Sequence, residues 1–422
     1  MNVIARAPPP LAPPMLSQSQ RPLKALMISP SPFMPDWEGN RRRVRQMVDM
    51  LVEFGFEVHF LYVPNSQGDS KAMAVHLGAN FHELPDRKRP RLWRWWHLKS
   101  KLGVLLKQYS WCNLGVDDWY FPEIGTAAAQ IVEREGIQLV LCEYIFYSQA
   151  LASLTGVVKV IDAHDVFGDR YKMFLELGRK PVWYSTPPDQ ERLAMARSDF
   201  VLAIQADDAA VFKDYGHGGV HTLEYAPTAP AAAPTSVSPP GPLRLCFLGS
   251  ANDINVSALD DYLRAIHPEL LAAGIIFEVV VIGEVCERFK HLAPIRQVSW
   301  RGRVANLDSV LSTCDVLVNS VATGTGLPIK VLDGLSNGLH VMATDGGARG
   351  LPMRETLASV HICSTTGAWV DTARDLAQRK RGGENLCAVA IGDINAIVAY
   401  VKDEQAQLKS MIFDRISVTT RP

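Results

Sequence analysis

The sequence predicts an α/β protein built from two Rossmann-like domains that face each other across a cleft. Three observations carry that expectation. Short apolar strands alternate with helical apolar spacing over residues 24–204, and the alternation restarts over 243–362. Between the two runs, Pro227 to Pro242 reads PTAPAAAPTSVSPPGP, an uncharged, Pro-rich and semi-rigid linker. The composition of the 422 residues, 47% hydrophobic and 21% charged, provides for buried cores and excludes global disorder.

The elements follow in order. Residues 1–22, with Pro8, Pro9, Pro10, Pro13 and Pro14 and no apolar h-region, read as a disordered leader rather than a secretory signal. Lys24–Pro30 is a short apolar strand, and Arg43–Phe54 a helix ended by Gly55. The helix places Val44, Met47, Val48, Leu51 and Val52 on one side. Glu57–Val63 completes a βαβ unit, and further strands fall at Gln138–Cys142, Val157–Ile161 and Phe200–Ile204. The second half begins with the strand Leu243–Gly249, a helix over Val256–Ile266 and a buried strand Ile276–Gly283. Asp315–Asn319, Leu339–Thr344 and Ser359–Ile362 continue it. The expected division is therefore a first domain over 23–227, a linker over 228–242, a second domain over 243–400 and a C-terminal helix or tail over 401–422.

Several function classes are excluded. Lys and Arg total 43 against 44 Asp and Glu, so the chain as a whole is no nucleic-acid or polyanion binder. The seven cysteines are scattered without a Cys-x-x-Cys pair, which points to buried reduced thiols and a reducing cytoplasm. No apolar run reaches the ~18–20 residues of a membrane span. Neither half opens with Gly-x-Gly-x-x-Gly, and no P-loop motif occurs, which disfavours dinucleotide oxidoreductases and excludes standard P-loop NTPases.

The densest chemical signal runs from Gly324 to Thr344. A glycine turn opens a helix that carries Lys330 and Asp333 on one face. Bare amides at a helix N-terminus attract an anion, and Lys330 suits a diphosphate. Asp333 is placed to accept hydrogen bonds from ribose hydroxyls. The bland alternative is a capped helix with an ordinary Lys–Asp pair. In the first half, Val160-Ile-Asp-Ala-His-Asp165 ends a strand with Asp162, His164 and Asp165.

At these residues the chain resembles the retaining GT-B glycosyltransferases, those like glycosyltransferase family 4. That family carries Gly-x-Gly-x3-Lys-x-Leu-Glu-Ala or Glu-x7-Glu where this chain has Gly324 to Asp333. Thr325 stands where longer-studied members have Glu. Phe247-Leu-Gly-Ser250 with Asn252 and Asn255 resembles the loop that opens the donor domain, Gly283-Glu284 a strand end, and Gly302-Arg303-Val304 the segment against the nucleotide base. Asp162–Asp165 resembles the family's Asp-x-His-Asp element, which implies His164 and Asp165 as catalytic groups. Glu38-Gly39-Asn40, followed by arginines including Arg43, resembles its first-strand glycine loop near diphosphate and acceptor.

The resemblance implies the GT-B fold and sugar transfer from a nucleotide-diphosphate sugar with retention, in bacterial surface polysaccharide or glycolipid assembly. The donor would be held by Gly249, Ser250, Asn252, Gly302, Arg303, Val304, Gly326, Leu327, Lys330 and Asp333. The acceptor would be a sugar, glycolipid or protein. No Asp-x-Asp triplet occurs, and no metal or other cofactor is expected. Two alternatives are a nucleotide-sugar epimerase of the same fold and a catalytically silent scaffold. Finally, residues 87–101 hold seven basic residues, Trp93, Trp95 and Trp96, and no acid. That segment suits an anionic membrane surface at the inner face of a membrane, or a helix with its tryptophans packed inward.

Overall fold

The computed structural model describes residues 22–419 apart from 36–38, 65–68, 86–90, 177, 179, 182–183, 228–240, 292–293 and 323–328. The side chains of residues 91–94 and 97 also lie outside the description. The expected leader and linker, and the expected donor residues Gly326 and Leu327, fall almost wholly or wholly outside the described residues.

The first sheet has seven strands: β1 (Lys24–Ser29), β2 (Glu57–Tyr62), β3 (Phe81–Glu83), β4 (Leu139–Glu143), β5 (Val158–Asp162), β6 (Phe200–Ala203) and β7 (Val220–Thr222). They lie in the order β3-β2-β1-β4-β5-β6-β7, all parallel. The second sheet has six: β8 (Leu243–Leu248), β9 (Phe277–Ile282), β10 (Val298–Gly302), β11 (Val316–Asn319), β12 (His340–Ala343) and β13 (Val360–Ile362). Their order is β10-β9-β8-β11-β12-β13, again all parallel. Central strands such as Leu-Val-Leu-Cys-Glu in β4 are buried at every position, because helices cover both faces of a parallel sheet. The short edge strands β3 and β7 lie outside the sequence expectation, since each offers only three half-buried or exposed residues.

Two helices depart from the periodicity reading. The first runs Gly39–Glu53, one turn earlier than its apolar spacing indicates, because that turn is wholly polar. The helix Asp253–Asp261 ends in a π turn, Tyr262–Ile266, where a single helix was expected.

Each sheet changes direction between its central pair, β1 and β4 in the first, β8 and β11 in the second. A crevice opens there beyond the carboxyl ends of the strands, the ordinary ligand position in such sheets.

The chain closes with one helix, Leu386–Thr419, which runs through the expected boundary at 400 into the expected C-terminal helix or tail. Its buried stripe, Leu386, Ala390, Ile394, Ile397, Val401, Leu408, Ile412 and Ile416, keeps helical spacing throughout. The far half packs on the first domain: Phe413 meets Phe56 edge-on at 5.5 Å, and Arg415 pairs with Asp199 at 2.7 Å. The backbone N–H of Glu224 donates to the Glu404 carboxylate at 3.3 Å. Among the described residues no single helix is long and apolar enough to cross a membrane. All seven cysteines are unpaired, six of them buried.

Candidate active site

The first crevice is built by the ends of β1, β4 and β5 and by the start of the first helix. Asp162, the last residue of β5, is fully buried, and the Arg43 guanidinium donates to both its oxygens at 2.9 Å. Burial would raise this carboxyl, but Arg43 and His164 outweigh it and hold it below the ordinary aspartate value. Arg43 also donates to the Leu223 carbonyl at 2.7 Å, so it ties the first helix to β5 and to the chain after β7. Arg43 is therefore a buried strut, and its expected place beside the diphosphate or acceptor is corrected. It lies four residues before Met47 and seven before Met50, on the helix's buried stripe.

His164 follows β5 with φ +63°, a left-handed conformation uncommon for histidine. Its Nε2 is 2.5 Å from Glu143 Oε2, at the end of β4, and 3.5 Å from Asp162. The Tyr144 ring stacks on the imidazole at 3.9 Å and 15°. Ser31 and Asn40 hydrogen-bond the Tyr144 hydroxyl, and the Asn40 amide donates to Ser31 Oγ at 3.2 Å. The expected loop residue Asn40 thus reaches His164 through one aromatic ring. Asp165, expected beside His164, departs from it: the turn at His164 sends its carboxylate to the Val166 amide (3.0 Å) and the Arg170 guanidinium (3.1 Å). Glu191, unmarked in the sequence, accepts the amides of Phe167 and Gly168 and so anchors this loop.

Glu143, Asp162 and His164 each present one ligand atom within 4.8 Å of the others, a set able to hold a cation. Arg43 already occupies Asp162 and His164 already occupies Glu143.

The second crevice is stitched by glycines. The Gly249 amide donates to the Ile282 carbonyl at 3.1 Å, and the Gly283 amide to the Gly302 carbonyl at 2.7 Å. Gly283 has φ +103°, and a Cβ there would stand 2.2 Å from the Gly249 carbonyl oxygen, so only glycine fits. These contacts bring the loops after β8, β9 and β10 together. Asn252 caps the helix Asp253–Asp261 by accepting the Asn255 amide at 2.8 Å, so its carbonyl oxygen is committed to the cap. The side chain that reaches onward is Asn255: it donates to Ser250 Oγ at 3.1 Å and accepts from Lys330 Nζ at 2.7 Å.

Lys330 sits in the first turn of the helix Ile329–Ser336. It lies 5.5 Å over the Phe247 ring and has no carboxylate partner among the described residues. Burial lowers its ammonium to about 8. Arg303 stands apart from this cluster, largely exposed and paired with Glu284. Val304 packs against the core at the same edge.

The two crevices meet. Arg42, next to buried Arg43, spans the cleft and pairs with Asp333 through oxygens at 2.6 and 2.8 Å. Burial raises the Asp333 carboxyl, with Arg42 opposing. Gly39 faces the same helix: a Cβ there would lie 3.1 Å from the Ile329 side chain. A cavity of about 820 Å³ lies between the domains beside the long helix, lined by Gln205, Asp207 and Glu224 on one side and Thr344, Arg349 and Tyr400 on the other.

With this geometry in hand, the relatives are informative. Residues 242–379 match the family model described as "Glycosyl transferases group 1". The second domain is thus similar to group 1 glycosyltransferase domains. Its span includes the Asn255–Lys330 pair and Asp333. No curated protein matches the chain significantly. Solved structures fix the fold of the rest as GT-B. A glycosyltransferase from Rickettsia africae is 10% identical with a TM-score of 0.62, over 94% of this chain and 98% of that one. The pneumococcal O-GlcNAc transferase GtfA, solved with UDP and GlcNAc, is 9% identical with a TM-score of 0.60, over 93% and 99%. Anabaena HepE, solved with UDP, is 12% identical with a TM-score of 0.58, over 92% and 100%. The second domain therefore stands in the same two-domain frame as these proteins, with its helix Ile329–Ser336 turned to the first domain.

Proposed function

We propose that the protein is a retaining glycosyltransferase that moves a sugar from a nucleotide-diphosphate sugar to a hydroxyl acceptor, in surface polysaccharide or glycolipid assembly in a bacterium. The observation that carries this reading is Lys330. It is a partly buried cation at the switch point of the second sheet, held by a neutral amide and an aromatic face rather than by an acid. Such a group has its counter-charge still to come, and a diphosphate supplies it. Lys330 and the amides around Gly249 and Ser250 stabilise the leaving diphosphate. Asp333 takes ribose hydroxyls once Arg42 releases it. His164 faces the sugar from the opposite domain, and closure of the cleft keeps water from the donor. The acceptor hydroxyl attacks on the face the leaving group departs from.

A thermal-shift screen of UDP-, GDP-, ADP- and dTDP-sugars tests the pocket. One donor class is expected to raise Tm in the native chain, and Lys330→Ala to abolish that rise. A shift that survives in Lys330→Ala overturns the assignment. Product analysis with donor alone separates transfer from epimerisation, since an epimer forms without acceptor. Transfer is expected to persist in EDTA, because the cations that neutralise the diphosphate are side chains; loss of all activity in chelator overturns the metal-free reading.

The same reading extends to a membrane-borne acceptor. In the helix Arg91–Leu105, Trp95, Leu98, Leu102 and Leu105 are exposed at helical spacing, while Trp96 is half-buried against the first-domain core. The apolar stripe with Lys99 and Lys101 suits an anionic bilayer. Co-sedimentation with anionic vesicles is expected, and loss of it in Trp95→Ala; no binding by the native chain removes this part of the proposal.

A further inference from the structure

Glu143 escapes the sequence motifs because it reads as the last position of an apolar strand. In the fold it is fully buried at the switch point of the first sheet. Its Oε2 bonds His164 Nε2, and its Oε1 is buried without a hydrogen-bond partner among the described residues. The charged and titratable groups facing it are Asp162 from β5, His164 from the loop beyond, and Arg43 from the first helix. Arg43 gives its hydrogen bonds to Asp162, to Gln46 and to the carbonyls of Leu223 and Glu224, and none to Glu143. A buried acid with one oxygen left unpartnered is a poor stabiliser of a sheet, since an apolar residue would serve the fold as well or better. Its short bond, at 2.5 Å, goes to the histidine that faces the cleft.

We propose that Glu143 is a positioning residue: it holds His164 by Nε2 and thereby fixes Nδ1 as the ring nitrogen offered to the donor sugar. Tyr144 completes the clamp by lying flat on the imidazole. Tyr144 and His164 both adopt left-handed backbone, at φ +67° and +63°, so the two ends of the clamp are held in conformations that side chains seldom choose. No hydrogen bond to Nδ1 exists among the described residues. With the shared proton on Nε2, Nδ1 carries its lone pair toward the cleft and accepts from a sugar hydroxyl. Glu143 makes and breaks no bond to the sugar. Burial, and Asp162 beside it, push the Glu143 carboxyl up to about 7.

The inference deepens the glycosyl-transfer reading, and its first test is independent of activity. In the full chain labelled with 15N-histidine, the His164 Nε2 proton, assigned by its loss in His164→Ala, is expected strongly downfield. It should move upfield in Glu143→Gln and stay in Asp165→Asn. A His164 resonance and titration unchanged in Glu143→Gln overturn the proposal. In turnover, Glu143→Gln is expected to lower kcat about 100-fold, the lower end of what a positioned acid–base group contributes, with donor KM within about twofold. The pH profile of kcat should lose its limb near neutrality. Placed on His164→Ala, the Glu143→Gln change should cost nothing more; independent, multiplying losses would also overturn the proposal. Glu143→Asp, which keeps the charge and shortens the reach, serves the same comparison should Glu143→Gln fold poorly. If the native chain turns over no donor, the resonance still decides Glu143 while the transfer reading alone fails.

Discussion

The two sheets offer the same kind of crevice to one cleft and fill it in opposite ways. In the first, the polar groups satisfy one another: Arg43 pairs with Asp162, and His164 hydrogen-bonds Glu143. In the second, Lys330 leans on an amide and a ring with no acid in contact among the described residues. The first crevice is therefore finished as an electrostatic object, and only a histidine edge is left to act. The second is complete only with an anion in it. A parallel sheet supplies the position, and the charge balance at that position decides whether it orients a group or binds a ligand.

The largest way to break this contrast is Arg43→Ala. It leaves Asp162 buried and uncompensated, at a cost of about 3–5 kcal/mol, read as a fall in the denaturation midpoint. The matching change in the second crevice, Lys330→Ala, should spare stability and lower kcat/KM about a hundredfold or more, the usual cost of losing one preorganised donor to a developing anion. A Lys330 variant that unfolds, or an Arg43 variant that folds normally, would erase the distinction. A smaller effect follows from titration. The Lys330 ammonium is lowered to about 8, so it is charged below that pH and neutral above it. Donor affinity should accordingly fall as pH rises through about 8, and Lys330→Arg should remove the dependence in a binding titration. Asn252→Ala, which removes a helix cap and one hydrogen bond to Ser250 Oγ, should cost about 1 kcal/mol and leave donor binding within a fewfold.

A last prediction concerns the seam between the domains. Burial, together with the neighbouring Glu404, raises the Glu224 carboxyl to about 9. A raised acid contributes stability while protonated, fully present below its unfolded value and lost as pH climbs through 9. The midpoint of thermal unfolding should therefore drop between pH 7 and 9.5, and less so in Glu404→Gln.

The fold was largely legible because interior parallel strands must be apolar on both faces, and runs such as Phe-Glu-Val-Val-Val-Ile announce themselves. Part of the site was legible for a different reason: Gly249, Gly283 and Gly302 stand where loops touch, and few other residues fit such places. The arginines were harder. Neighbouring helix residues point about 100° apart, so Arg42 and Arg43 serve different domains although the motif treats them as one cluster. The spacing of Arg43 to Met47 and Met50 carried the signal for its burial. Asp165 was misplaced because the left-handed turn at His164 is a property of backbone, which a non-glycine residue type does not advertise. Glu143 had no local signal, since its partner is brought to it only by the pairing of β4 with β5.

The helix Leu386–Thr419 gives the chain an order of events. Phe54 and Phe56 end the first helix and its turn, early in the sequence, and they are buried partly by Lys409 and Phe413. A ribosome delivers the first domain long before these covering residues exist. During synthesis that apolar patch is bare, and it stays so while the whole second domain emerges. The first domain thus completes its surface last, with residues made after its partner, and any stall before the final helix releases a protein with an adhesive face.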